Sequence, residues 1–195
     1  PAIGLLGRKG YVKLSSTVGV IGYQAIDIGN AVFALPAQSP SAATKLVSAQ
    51  FASGVVGNIA YFTSVNLINT SAQSRTAQFA LIGNEGSLAS PTVVVRLAPG
   101  QQILESGDAL FGLPDPASSD LKEGSLAITA DGAGLIGDVV FGDPVSQRFV
   151  ASLPLEANPV SDLVFSHVAE GSTDGGRPYF TGIAIYNPNA SEVTI

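Results

Sequence analysis

The chain contains no cysteine, no methionine and no tryptophan, and a single histidine. Without cysteine there are no disulfides and no thiolate metal sites. Without methionine, and with Pro1 at its start, the sequence reads as processed, trimmed or excised from something longer. Residues 1–20 hold no basic segment followed by an apolar run, so no signal peptide is expected there. Charge is also scarce, at 12% of residues against 46% hydrophobic. That balance argues against disorder, which needs low hydrophobicity and high charge. The nine Lys and Arg are scattered singly in a chain of net charge −6. No basic stripe is available to neutralise phosphates, so nucleic acid is not an expected partner. Apolar runs are short and interrupted, so no membrane span is expected.

Short alternating segments separated by turn chemistry are present instead. Val12 and Leu14 alternate with Tyr11 and Lys13 in 10–16, as in a half-buried strand. Further strands are predicted over 18–28, 30–35, 45–52, 61–69, 75–82, 92–98, 125–129, 135–141, 148–153, 163–168 and 179–186. Gly29-Asn30, Gly83-Asn84-Glu85-Gly86, Pro99-Gly100 and Gly142-Asp143-Pro144 read as turns, and 54–58 as a loop. Ser106 to Gly112 is the one helical candidate, with Ser106 as cap, Asp108 in the first turn and Gly112 as stop. The predicted core comprises Val65, Leu67, Phe79, Leu81, Val93, Val95, Leu97, Leu126, Ile128, Ile136, Val140 and Phe149. The seven or eight evenly spaced strands between residues 45 and 155 imply an all-β fold, an antiparallel β-sandwich of Ig-like or jelly-roll-like type.

The chain also repeats itself. Tyr61-Phe62-Thr63-Ser64-Val65-Asn66-Leu67-Ile68-Asn69 returns 118 positions later as Tyr179-Phe180-Thr181-Gly182-Ile183-Ala184-Ile185-Tyr186-Asn187. Phe51-Ala52-Ser53-Gly54 matches Val168-Ala169-Glu170-Gly171, and Leu35-Pro36 matches Leu153-Pro154. Gly10 to Leu14 matches Gly124 to Ile128, and Gly22 matches Gly137. The expected organisation is therefore a tandem repeat of about 115–118 residues. Residues 1–36 form the back part of one repeat, 45–155 a complete repeat and 163–195 the front part of a further one. The intervening 36–44 and 154–162 read as linkers. Residues 1–36 and 163–195 are complementary, and are expected to pack as a composite second sandwich, within one chain or between chains.

Asn187-Pro188-Asn189-Ala190, Leu97-Ala98-Pro99-Gly100-Gln101 and Gly137-Asp138-Val139-Val140-Phe141-Gly142 carry a resemblance. They are similar to uncharacterised tandem β-sandwich repeats of large secreted and surface proteins of environmental bacteria. The likeness runs over the whole chain and rests on turns and strand edges. It implies a secreted or cell-surface setting and a scaffold, adhesion or binding role, and it carries over no catalytic residue.

Residues that could carry chemistry have plainer readings. A Ser–His–Asp arrangement could use only His167, with Asp162 or Asp174 as orienter, and no Gly-x-Ser-x-Gly elbow presents a serine. His167 also occupies the position of Gln50 in the other copy, as suits a polar strand residue facing solvent. Calcium needs six to eight oxygens. Asp108, Asp115, Asp120, Asp131, Asp138 and Asp143 are the pool, none in an Asp-x-Asp-x-Asp-Gly loop, and Asp131-Gly132 and Asp143-Pro144 read first as turns. Glycoside hydrolysis needs paired carboxyls in a cleft lined with aromatics. Tyr61, Phe62, Tyr179 and Phe180 recur at repeat positions, which favours packing. The glycines of 4–10 lack the Lys-Ser/Thr ending of a phosphate loop.

No catalytic, cofactor-binding or metal-binding residue is therefore assigned, and no cofactor is expected. The leading expectation is a non-enzymatic structural or adhesive module whose partners are neighbouring repeats and a protein or glycan surface. The alternative is a carbohydrate- or calcium-binding module attached to a larger extracellular enzyme, and a hydrolase comes third. Residues 37–162, holding one repeat and both linkers, should unfold in a single cooperative transition when expressed alone. A broad, non-cooperative melt would mean that the repeat is wrongly phased.

Overall fold

The computed structural model describes residues 10–28, 31–143, 149–172, 178–179 and 181–194. Among them the fold is all-β with one short helix. The strands are β1 (Tyr23–Ile28), β2 (Ala31–Pro36), β3 (Lys45–Val56), β4 (Ile59–Asn69), β5 (Arg75–Gly83), β6 (Val93–Leu97) and β7 (Gln102–Ser106). After helix α1 (Gly107–Phe111) come β8 (Lys122–Ala130), β9 (Leu135–Gly142), β10 (Val150–Pro154), β11 (Gly171–Ser172) and β12 (Pro178–Tyr179).

The architecture turns on the β3–β4 hairpin. Its two strands pair only near the tip, where Gly54, Val55 and Val56 face Tyr61, Ala60 and Ile59. Beyond that they part. β3 continues antiparallel to β8, which leads on to β5 and β6. β4 instead lies between β7 and β9, with β10 beyond β9. The eight strands thus divide into two four-stranded antiparallel ladders, β3-β8-β5-β6 and β7-β4-β9-β10, joined at one hairpin tip. Where the strands part, the buried Thr63 hydroxyl accepts from Ala52 N–H at 2.9 Å and donates to Ala52 C=O at 2.8 Å. It satisfies both backbone groups that the missing ladder would have paired.

Both ladders contribute to one core. Phe51, Phe79, Leu81, Leu126 and Ile128 come from the first ladder, and Val65, Leu67, Leu135 and Val139 from the second. Strand β3 places Leu46 in this core, and simple alternation from there would place Gln50 inward. A bulge between Ser48 and Phe51 adds a residue and turns Phe51 inward instead, fully buried. The Phe51 ring meets Phe111 of α1 edge-on at 5.8 Å and 82°. A β-carbon on Gly107 would lie 2.6 Å from that ring, so the helix starts on the residue that permits the approach. Ser106 Oγ accepts from Ala109 N–H, and Gly112 ends the helix at φ 63, as the sequence predicts.

Buried Asn69 closes one end of the fold. Its amide nitrogen donates to the carbonyls of Gln73 at 2.7 Å, and of Leu97 and Ala98 at 3.1 Å each. Its oxygen accepts from the Ser71 N–H and hydroxyl. One side chain thus ties the end of β4 to the next turn and to the chain leaving β6.

Several local geometries recur at the sequence spacing. Ala169 and Thr181 repeat the Ala52–Thr63 bonds at 2.8 and 3.0 Å. Gly171 pairs with Tyr179 as Gly54 pairs with Tyr61, and both glycines have positive φ, 140 and 125. Asn187 donates to Ser191 C=O and accepts from Asn189 N–H, as Asn69 does with Gln73 and Ser71. The β1–β2 hairpin pairs Gln24 with Leu35 and Tyr23 with Pro36, and β9–β10 pairs Val139 with Leu153 and Asp138 with Pro154. Ala37 N–H bonds to Gly22 C=O, and Leu155 N–H to Gly137 C=O, both at 2.8 Å.

Several expectations need correction. Residues 10–16, 163–168 and 181–186 are described without strand pairing. The loop expected at 54–58 shrinks to Gly57-Asn58, with β3 running through Gly54. In β9 the inward phase is Leu135, Gly137 and Val139, so Ile136 and Val140 face away from the core. Phe149 is half-buried and packs on Tyr61 at 5.7 Å. Residues 154–156 are not free linker: Leu155 is in the core, and Glu156 exchanges two backbone bonds with Val47.

The Asn69 pin supplies a test. Asn69→Ala leaves buried carbonyls without donors and should cost about 2–4 kcal/mol, and Asn69→Asp at least as much, in urea unfolding. The same changes at half-buried Asn187, whose hydrogen bonds are exposed, should cost less, about 1 kcal/mol or under.

Candidate functional site

The second ladder carries a polar row on the face turned away from the core. Alternation in β4 sends Val65 and Leu67 inward and Asn66 outward. Each strand of the ladder adds one residue. Gln102 of β7 donates to Asn66 Oδ1 at 2.8 Å, and Asn66 donates to Asp138 Oδ1 of β9 at 2.8 Å. Ser152 of β10 donates to Asp138 Oδ2 at 3.4 Å. Asp138 is only 6% exposed. Burial pushes its carboxyl above the ordinary value of 3.8, and the bonds from Asn66 and Ser152 oppose that rise. No buried side-chain nitrogen or oxygen among the described residues lacks a partner. A carboxyl held this way, largely closed off from solvent and bonded through both oxygens, is the centre of a row that ties four strands together. The row is also particular to this ladder, because the matching positions in the terminal segments are Ala184, Tyr23 and Ala34.

The other acidic candidates are dispersed. Asp108 lies in the first turn of α1. Exposed Asp115 accepts from Ala117 N–H in a local turn, and Asp120 is exposed in the chain entering β8. Asp131 sits in the β8–β9 turn. A Thr76 backbone hydrogen bond, the Thr76 hydroxyl and the Arg75 charge hold its carboxyl below the ordinary value. Asp143 is buried at the end of β9. No group of three His, Asp or Glu among the described residues could hold a metal ion.

His167 is exposed on an irregular segment, and Asp162, also exposed, accepts from Ser161. Asp174, Phe180, the Tyr179 side chain and residues 1–9 lie outside the described residues. Tyr61 and Phe62 are half-buried, and the Tyr61 ring packs against Phe149. Gln50 is at the β3 bulge, where its N–H meets Ser48 Oγ at 3.3 Å.

Two concavities flank β3. An apolar groove of about 320 Å³ runs between Val47 and Ala49, Leu153 of β10, and the C-terminal residues Ile185 and Tyr186, with Leu163 and Phe165 completing its wall. A polar hollow of about 250 Å³ is lined by Gln50, Asn84, Glu123 and Ser125, with Asn84 bonded to Glu123 at 2.7 Å. The groove's lining is mostly apolar, with Ser48, Glu156 and Asn158 as its polar members. It was not visible in the sequence, because residues about 140 positions apart build it. No helix among the described residues is long and apolar enough to cross a membrane.

No protein-family model matches this sequence, and no curated protein does. A solved structure described as "Crystal Structure of Thermotoga maritima 1070" is similar at a TM-score of 0.45 and 16% identity, over 60% of this chain and 96% of that one. A likeness of that size is carried no further.

The polar row generates a pH test. Folding favours protonated Asp138, so its contribution is full below 3.8 and is lost as pH rises through the higher native value. Asp138→Asn keeps both hydrogen bonds, since the new amide accepts from Asn66 and donates to Ser152. Urea midpoints across this window should show a flatter pH dependence in that variant than in the parent. Asp138→Ala leaves the Asn66 amide nitrogen and the Ser152 hydroxyl without their acceptor and should cost about 1–3 kcal/mol.

Proposed function

We propose that residues 45–155 are one module of a tandem array of antiparallel β-sandwiches, serving a structural or adhesive role in a secreted or cell-surface bacterial protein. One observation carries this reading. The segments on either side of the central ladders repeat its local hydrogen bonds at the sequence spacing, down to the Thr63 and Asn69 motifs at Thr181 and Asn187. A chain that repeats its turns and strand crossings is built for stacking units, each covering the next.

The two ladders enclosing one core support the sandwich part of the reading. The polar row supports the structural part, since the Asp138 carboxyl, with its raised proton affinity, bonds strands together. The partners this reading calls for are neighbouring modules and a protein or glycan surface.

Calcium and glycans provide the test. A ligand that binds only the native state adds RT ln(1 + [L]/Kd), about 2.7 kcal/mol at a hundredfold excess over Kd. For a purely structural module, Tm should be unchanged in millimolar calcium and in soluble polysaccharide. A rise of several degrees reversed by chelator, or held by one glycan, would replace this reading with a binding module.

A further inference from the structure

Large hydrophobic side chains are exposed unevenly. Of twenty such residues, sixteen lie before residue 37 or after residue 155. Several of them occupy positions that the central ladders bury. Val12 and Leu14, 65% and 74% exposed, match Leu126 and Ile128 at 0% and 1%. Leu163, 60% exposed, matches Leu46 at 4%, and Val168, 65% exposed, matches Phe51 at 0%. Single exposed apolar residues need no explanation, but two clusters on core-type positions do.

The two clusters are also complementary. Residues 10–36 match β8, β9 and β10, and residues 163–194 match β3 and β4. In the central ladders these strands pair with each other, Leu46 opposite Ile128 and Ser48 opposite Leu126. Transferred to the terminal segments, that register sets Leu163 opposite Leu14 and Phe165 opposite Val12. Yet no hydrogen bond or strand pairing among the described residues joins 10–36 to 163–194. Each segment leans on the central ladders instead. β2 lies against β10, Gln38 donates to Gly137 C=O, and Lys45 Nζ reaches Pro188 C=O.

We infer that a second copy of this chain covers these faces: residues 163–194 of one copy pair with residues 10–36 of another in the β3–β8 register. The inference rests on the module reading above. A reciprocal exchange closes a two-fold dimer, and a sequential exchange extends head to tail. Burial of matched core-type positions drives the association, and the unpaired backbone of 10–16 and 163–168 gains ladder partners.

The absence of cysteine allows a clean test. Leu14→Cys and Leu163→Cys are made in separate full-length chains, one carrying a mass tag, then mixed under mild oxidation. Both sites are exposed, and circular dichroism checks that each variant folds. Opposed strand residues lie within disulfide reach. The expected result is a disulfide heterodimer several-fold more abundant than with Val164→Cys in place of Leu163→Cys, because a one-residue shift turns the side chain to the other face. The unmodified chain should sediment above its 19.8 kDa mass as concentration rises. A monomer at all concentrations with no heterodimer overturns the inference. So does an internal disulfide in a monomeric Leu14→Cys/Leu163→Cys double variant, and so does equal cross-linking by both registers. The calcium and glycan measurements read the module reading separately, so failure of that reading and failure of the pairing are distinguishable.

Discussion

A strand that leaves its hairpin partner must find new partners for its backbone, and the rest of this fold follows from how β3 and β4 do so. They part after three residue pairs. The Thr63 hydroxyl fills the gap at Ala52. From there one strand serves each ladder, and the side chains between the diverging ladders become the core. Phe51 stands at this fork, and the bulge beside it is what turns its ring inward. A fully buried ring of this kind contributes about 3–5 kcal/mol over alanine. Its edge contact with Phe111 then fixes where α1 sits, which in turn requires glycine at 107.

Polar groups hold the periphery of the second ladder. Asn69 and Asp138 occupy places that an apolar residue of similar size could fill, and each instead satisfies several partners. Asn69 joins segments far apart in sequence through backbone carbonyls, which sets the geometry of two turns at once. The Gln102–Asn66–Asp138–Ser152 row fixes the lateral register of four strands, since a slip in any one would leave a buried group unpaired. Both arrangements bind backbone or side chains of separate strands to one another, and so restrict how those strands can move.

How much was legible depended on whether the signal was local. The helix at 107–111 was readable because its cap, its first-turn acid and its terminal glycine all act within one turn. Strands β4, β5 and β8 were readable because one face is apolar and the other is not. β9 was not, because Leu135, Ile136, Val139 and Val140 place apolar groups on both faces, and only the partner strand chooses between them. Asp138 shares the phase of Ile136 and Val140, which was the one available hint that this phase faces away from the core. β7 went unpredicted because Gln102-Ile103-Leu104-Glu105-Ser106 has weak alternation and is a strand through its pairing with β4.

The sequence by itself determined the all-β class, the one capped helix, the turn chemistry and the recurrence at 118 residues. All of these rest on short-range sterics and side-chain periodicity, which a chain carries wherever it is. Tertiary structure decided the rest. It divided the strands into two ladders, chose the inward phase of β9, buried Asp138 and raised its proton affinity, and built the groove beside β3. It also left Val12, Leu14 and Leu163 in water although their counterparts Leu126, Ile128 and Leu46 are buried. The physical reason is that burial belongs to a pair of surfaces. A sequence can specify an apolar face, but only the strand laid against it decides whether that face is a core or an interface.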